Sequence, residues 1–228
     1  MHRQLDGSDL TARLKAHARD NYLFIYSVMK GATLANAGYT LAIFFGGGTA
    51  FLPHVPFWIA SFLAMILTYN ATVVGGLILG FVPTWRDSVL PFTLAVVEFL
   101  LFSLLQHQDR TLSGNWYIIF ALFDLNCFLI TWNILGKIRV EDYDTSLDRL
   151  ICIYKKRIKR DRLASGINAV SWLAVWLLIH FLAPKYPRFW DAYQWLLGIA
   201  AIGVMVLAIG DQEKTRKQIF EFLAEPIN

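Results

Sequence analysis

Charged residues are scarce in this sequence, and that scarcity sets the class of protein. Asp, Glu, Lys and Arg make up 17% of the 228 residues, whereas about a quarter is typical of a soluble domain. Hydrophobic residues make up 56%, and the mean hydropathy is +0.46. This composition argues against a soluble globular domain and predicts a multi-pass membrane protein.

Cysteine is also rare, with Cys127 and Cys152 as the only two. One lies in an apolar run and the other in a basic segment, so they predict no disulfide framework. The first twenty residues lack the apolar core of a secretory signal peptide. We therefore expect no cleavable signal, and we expect the first spanning helix to direct the chain to the membrane.

Motifs that carry known chemistry are missing from the sequence. There is no GxSxG, no HExxH, no glycine-rich phosphate loop, no arginine-repeat voltage sensor and no TVGYG filter. His54, His107 and His180 match no metal-ligand spacing. We therefore expect no metal site and no cofactor, and the balance favours a protein that is not an enzyme. No motif identifies a family.

Long apolar stretches are what the sequence does contain. A helix needs about 20 apolar residues to cross a hydrocarbon layer of roughly 30 Å. Trp58, Trp116 and Trp190 stand at one end of three such stretches, which is typical of an interfacial aromatic belt. The prediction is an all-α, polytopic bundle of about six transmembrane helices, with spans at 22–45, 57–82, 89–106, 115–136, 167–183 and 190–209.

The polar segments predict how the chain is organised around these spans. Between the fourth and fifth spans, apolar residues recur at helical spacing and predict a basic amphipathic helix. The predicted regions are an N-terminal amphipathic segment, a four-helix transmembrane region, the basic helix, a two-helix transmembrane region and a C-terminal helix, at 1–21, 22–136, 137–166, 167–209 and 210–228.

Lysine and arginine are distributed asymmetrically among the connections. All of them except Lys30, Arg110, Lys185 and Arg188 fall in the set that includes both termini and segment 137–166. Because cytoplasmic loops carry an excess of basic residues, we expect both termini in the cytoplasm. The short loops suit a plasma membrane protein of the bacterial inner membrane.

Three charged residues lie well inside the predicted spans. At about 1.5 Å of rise per residue, Lys30, Glu98 and Asp124 lie roughly 12, 14 and 18 Å from the cytoplasmic ends of their helices. An isolated charge at such depth is costly, so we expect the two carboxylates to share Lys30. Three asparagines in the same layer are expected to supply further hydrogen bonds: Asn36, Asn70 and Asn126.

This polar cluster has a functional and a structural interpretation. A protonatable carboxylate at mid-membrane is typical of a proton relay or a cation site, but interhelical polar contacts can also serve packing alone. The leading hypothesis is a channel-like or carrier-like protein that moves a small ion or proton. The alternatives are a non-transporting accessory subunit or membrane-disrupting effector, and, with less support, an intramembrane lipid-modifying enzyme.

The basic helix offers a candidate contact with the lipid bilayer or a partner. Its cations are expected to bind anionic lipid headgroups or to dock a cytoplasmic partner protein. Aromatic residues are too few among them for nucleic acid binding to be expected. These cations are Lys155, Lys156, Arg157, Lys159, Arg160 and Arg162.

A GxxxG pair in the second span concerns helix packing. Gly76 and Gly80 lie four residues apart, and small residues at this spacing let two helices approach closely. The pair favours packing within the bundle or a homo-oligomer interface.

Overall fold

The computed structural model describes residues 7–47, 52–79, 85–106, 114–138, 147–182, 185 and 190–224. Within these ranges the long elements are six α-helices, and they include no strand. They are α1 (Gly7–Gly47), α2 (Val55–Leu79), α3 (Trp85–Leu105), α4 (Trp116–Lys137), α5 (Asp148–Leu182) and α6 (Trp190–Ala224). The predicted all-α fold is confirmed.

Successive helices run in opposite directions. The contacts of α1 with α2 pair Tyr26 with Thr72 and Ala37 with Trp58, so residue numbers rise in one helix as they fall in the other. Between α1 and α3, Thr40 contacts Phe102, and numbers rise together. The start of α5 contacts both the end of α4 and the end of α6, so the alternation continues through these helices. The bundle is therefore up-and-down, and we call the end at which α5 begins and α6 finishes the basic end.

Four helices are long and apolar enough to cross a membrane: α2, α4, α5 and α6. The apolar stretch of α3, Val89–Leu105, is shorter. In α1 the helix is continuous, but Lys30 and several amide and hydroxyl side chains interrupt its apolar sequence. The length and composition of these helices support a membrane protein. By these two criteria, four of the described helices qualify as spans, not the six that were predicted.

Several helices run past the borders expected from hydropathy. Helix α1 continues through 21–22, α5 through 166–167 and α6 through 209–210. A helix satisfies its backbone hydrogen bonds internally, so it can leave the apolar layer without ending. No proline stands at these three positions to stop it.

The apolar face of the predicted basic helix packs inside the protein. Ile151, Tyr154 and Ile158 of α5 are buried against Ile138 and neighbouring residues at the end of α4. Because α4 covers this face, the first half of α5 is not a free amphipathic helix that lies on a lipid surface. The predicted helix is present, but it is part of the bundle.

A cluster of aromatic side chains fills the end of the core opposite the basic end. Trp116 and Phe120 stack with ring centroids 4.4 Å apart, and Phe57 and Trp172 contact Trp116 edge-on or tilted. Trp116 is fully buried and donates to the Ser61 hydroxyl at 3.1 Å. Its predicted place in an interfacial belt is therefore wrong, since the ring lies in the core.

Candidate functional site

Lys30 and Glu98 meet in the core, as the sequence analysis predicted. Helices α1 and α3 bring the Lys30 ammonium into a salt bridge with the Glu98 carboxylate. Lys30 is 6% exposed and Glu98 is 0% exposed. A buried charge of this kind is tolerated only with a partner of opposite sign and further hydrogen bonds.

Thr68 of α2 supplies those further hydrogen bonds. Lys30 Nζ donates to Thr68 Oγ1 at 2.8 Å, and the Thr68 hydroxyl lies 2.6 Å from Glu98 Oε1. The ring of Tyr26 also lies under the ammonium, 5.2 Å from Nζ to its centroid. Three helices are therefore joined by one compact polar group with all its charges satisfied, which we call the Lys30 triad (Lys30, Thr68 and Glu98).

Asp124 does not share Lys30, which corrects the sequence-based expectation. Among the described residues no ion pair joins Asp124 to a cation, and its Oδ2 atom is buried with no hydrogen-bond partner. The side chain is nevertheless only 3% exposed. The two carboxylates lie on different helices and turn to different neighbours, so Glu98 takes the ammonium alone.

Asp124 instead lines a cavity of about 150 Å³ between α2, α4, α5 and α6, which we call the Asp124 cavity. This volume is well above the roughly 10–15 Å³ that a single water molecule needs. Its polar lining comes from Thr68, Thr72, Asp124, Thr131, Asp161, Ser165, Asn168 and Gln212.

The polar lining of this cavity is rich in oxygen lone pairs. Thr72 donates its hydroxyl proton to the Thr68 carbonyl at 2.9 Å, and Thr131 donates to the Cys127 carbonyl at 2.9 Å. A hydroxyl that has donated its proton keeps only acceptor capacity. The cavity therefore presents carboxylate and hydroxyl oxygens, which suit a proton or a hard cation.

The lining of the cavity includes a partly exposed residue on the side of the basic end. Asp161, which also lines it, has a side chain that is 38% exposed and pairs with Arg157 at 3.3 Å. In the other direction, Phe123 lines the cavity and belongs to the same buried core as Phe120 and Trp116. The lining of the cavity thus includes a partly exposed carboxylate toward the basic end, and aromatic rings border it on the opposite side.

The asparagines lie apart from the carboxylates, contrary to the expectation that they orient them. Asn36 donates to the Phe99 carbonyl at 2.9 Å and accepts from Gln106 at 2.7 Å. Asn126 accepts from Thr93 at 2.9 Å, and Asn70 is exposed. Two of these amides join helices elsewhere, because their positions around the helix axis point them away from the charged groups.

The cations of the basic helix contact different partners and do not form one group. Lys155 donates to the Ile138 carbonyl at 3.3 Å, next to the end of α4, and Arg157 is buried beside Asp161. Arg162 lies over the Trp132 ring at 5.2 Å. Of the six cations predicted as one group, only Lys156 and Arg160 line a common groove with α6.

The remaining predictions are a pair of packing glycines and the absence of a metal site. Gly76 lies in α2, and Gly80 lies outside the described residues. In the described part of the chain, no group of three or more His, Cys, Asp or Glu residues could hold a metal ion.

Sequence reasoning missed Thr68, Asp161 and Gln212 as members of these sites. Thr68 lies eight residues before Gly76 in a span chosen for its apolarity, and a threonine there carries no distinctive signal. Asp161 and Gln212 lie among charged residues in the sequence, and only the packing of α6 against α2 and α5 brings them to the cavity.

Comparison of this chain with protein-family models, curated proteins and solved structures finds no match. The site must therefore be interpreted from its own chemistry.

Proposed function

We propose that this protein moves a proton or a small cation across a membrane, and that Asp124 is the group that binds it. One observation supports this above all others: Asp124, whose Oδ2 atom is buried without a hydrogen-bond partner, lines a cavity together with several other polar side chains. Leaving a buried acceptor unsatisfied costs about 1–3 kcal/mol, and more for a charged group. A bound proton or cation removes that cost, which makes Asp124 a binding group.

The proposal includes the arrangement in the membrane. All six helices cross the bilayer, and both termini lie in the cytoplasm of a bacterial cell, in accord with the excess of basic residues at that end. The Asp124 cavity then faces the cytoplasm. The aromatic cluster around Trp116 closes the opposite side, so the described conformation accepts its ion from inside and must open elsewhere to release it.

The Lys30 triad has a structural role in this proposal. Its ammonium, carboxylate and hydroxyl already hydrogen-bond one another, so the triad has no unpaired charge left to bind a passing ion. It fixes α1, α2 and α3 against each other, while the ion is handled between α2, α4, α5 and α6.

The experiment is flux into liposomes that contain the purified protein. A pH-sensitive dye and a Na⁺-sensitive dye, read separately, identify the ion that enters. Asp124→Asn keeps the shape of the side chain but removes its charge, and it should reduce flux to the level of empty liposomes. Glu213→Gln is the matched control, because Glu213 is a carboxylate at the surface of α6 paired with Arg216; flux should persist.

Two results would contradict the proposal. Flux that survives in Asp124→Asn at the level of the unmodified protein would remove Asp124 from the path. Absence of proton and cation flux in the unmodified protein, in liposomes where it is correctly folded, would favour the accessory-subunit alternative. That alternative draws less support from the contacts, since α4 covers the apolar face of the segment expected to dock a partner.

A further inference from the structure

A second cavity of the molecule lies outside the proposed ion path. It is a groove of about 490 Å³ between the first half of α5 and the last half of α6, which we call the basic groove. Its volume falls within the roughly 300–1,000 Å³ typical of small-molecule sites. Its lining includes Arg149, Lys156, Arg160, Gln218, Glu221 and Phe222.

Three cations of one helix face share this groove. Arg149, Lys156 and Arg160 stand at intervals of seven and four residues, which places them on one side of α5. Lys156 has no ion-pair or hydrogen-bond partner among the described residues. It therefore carries a positive charge that the rest of the protein does not neutralise directly.

The groove also contains negative charge, which locates where an anion can bind. Arg160 pairs with Asp211 through one nitrogen at 3.1 Å, so the other donors of its guanidinium stay available. Glu221 lies toward the end at which Arg149 contacts the Phe222 ring at 5.9 Å. An anion is therefore favoured near Lys156 and Arg160, with the Gln218 amide as a further donor.

The groove lies at the border of the apolar part of the helices, where the phosphate groups of membrane lipids are found. The apolar part of α5 begins near Leu163 and that of α6 ends near Ile209, so Arg160 and Asp211 stand just outside both. A membrane protein meets lipid phosphates at this level, and arginine with lysine is the usual set for binding them.

We propose that the basic groove binds a phosphate-bearing anion, held by Lys156 and Arg160. The anion is the headgroup of an acidic phospholipid or a free phosphate compound, which share the same oxygen acceptors. This site is independent of the proposed ion path, because no residue of the groove lines the Asp124 cavity.

The test uses the full-length protein in neutral detergent. Phosphatidylglycerol, glycerol 3-phosphate and inorganic phosphate are added in separate titrations, and binding is followed by native mass spectrometry and by the shift in Tm. Lys156→Gln with Arg160→Gln should weaken binding roughly 30-fold, at on the order of 1 kcal/mol for each cation removed. Lys159→Gln with Lys214→Gln removes the same charge from exposed positions outside the groove, and it should leave affinity nearly unchanged.

Each outcome decides a point. Saturable binding of phosphatidylglycerol alone assigns a lipid headgroup, and saturable binding of all three compounds assigns a free phosphate compound. An equal loss in both double variants would mean diffuse attraction and would overturn the proposal, as would equally tight binding of an acidic peptide that lacks phosphate. Lys156→Arg with Arg160→Lys retains the charges and should restore binding, which separates loss of the site from loss of folding.

Discussion

The Lys30 triad and the Asp124 cavity place carboxylates of similar burial in opposite circumstances. Glu98 receives hydrogen bonds from an ammonium and a hydroxyl, whereas Asp124 has a buried oxygen with no hydrogen-bond partner among the described residues. The triad is closed, and the cavity has room for water or an ion. Burial of an ionisable group therefore does not distinguish a structural role from a binding role. The presence of an unpaired hydrogen-bonding atom does.

The largest expected effect comes from breaking the triad. Lys30→Met should lower the free energy of unfolding by about 3–5 kcal/mol, because it leaves Glu98 buried without its cation. Lys30→Met combined with Glu98→Leu removes both charges and should recover most of the loss. Unfolding in detergent, followed by tryptophan fluorescence, measures both. A single variant as stable as the unmodified protein would mean that the pair does not hold these helices together.

The threonines permit a finer comparison. Thr68→Val removes hydrogen bonds to two charged groups and should cost about 1–2 kcal/mol. Thr68 also borders the Asp124 cavity, so the matched variant is Thr131→Val, at a cavity residue outside the triad. The Thr131 hydroxyl bonds only carbonyls of its own helix, and its loss should cost less than about 0.5 kcal/mol. The same unfolding measurement applies. Equal losses would erase the distinction between the two regions.

Substitution of Asp124 should change the stability in the opposite direction. Asp124→Leu should raise the free energy of unfolding by about 1–2 kcal/mol, because it removes an unsatisfied polar group and the neighbouring cavity can accept the larger side chain. Glu98→Leu alone should lower it, since Lys30 then loses its partner. Destabilisation by Asp124→Leu similar to that by Glu98→Leu would indicate that Asp124 has a structural partner after all.

Much of the fold could be predicted from the sequence. Apolar stretches located all six helices, and the expectation that Lys30 needs a carboxylate partner was right for Glu98. The ends of the helices were less predictable, because hydropathy marks where a helix meets lipid, not where its backbone hydrogen bonds stop. Helix α5 illustrates this, since it runs from Asp148 to Leu182 through the expected border at 166.

The composition of each site was predictable only in part. Asp124 was identified as exceptional, but its expected partner was wrong, and Asn36 and Asn126 proved to join other helices. The six cations of the basic helix are neighbours in sequence, yet Arg157 is buried while Lys156 lines a groove. Each residue along a helix turns about 100°, so adjacent charges face different surroundings.

The sequence by itself determined that the chain is helical and apolar, and that charges within its apolar helices need partners. Both results follow from local properties: the length of each apolar run and the cost of burying a charge. Only the tertiary structure decided that Glu98 receives the ammonium and that Asp124, beside a cavity, is left without a cationic partner among the described residues. That choice depends on how each helix is rotated and which helices are neighbours, which are set by side-chain packing across the whole bundle.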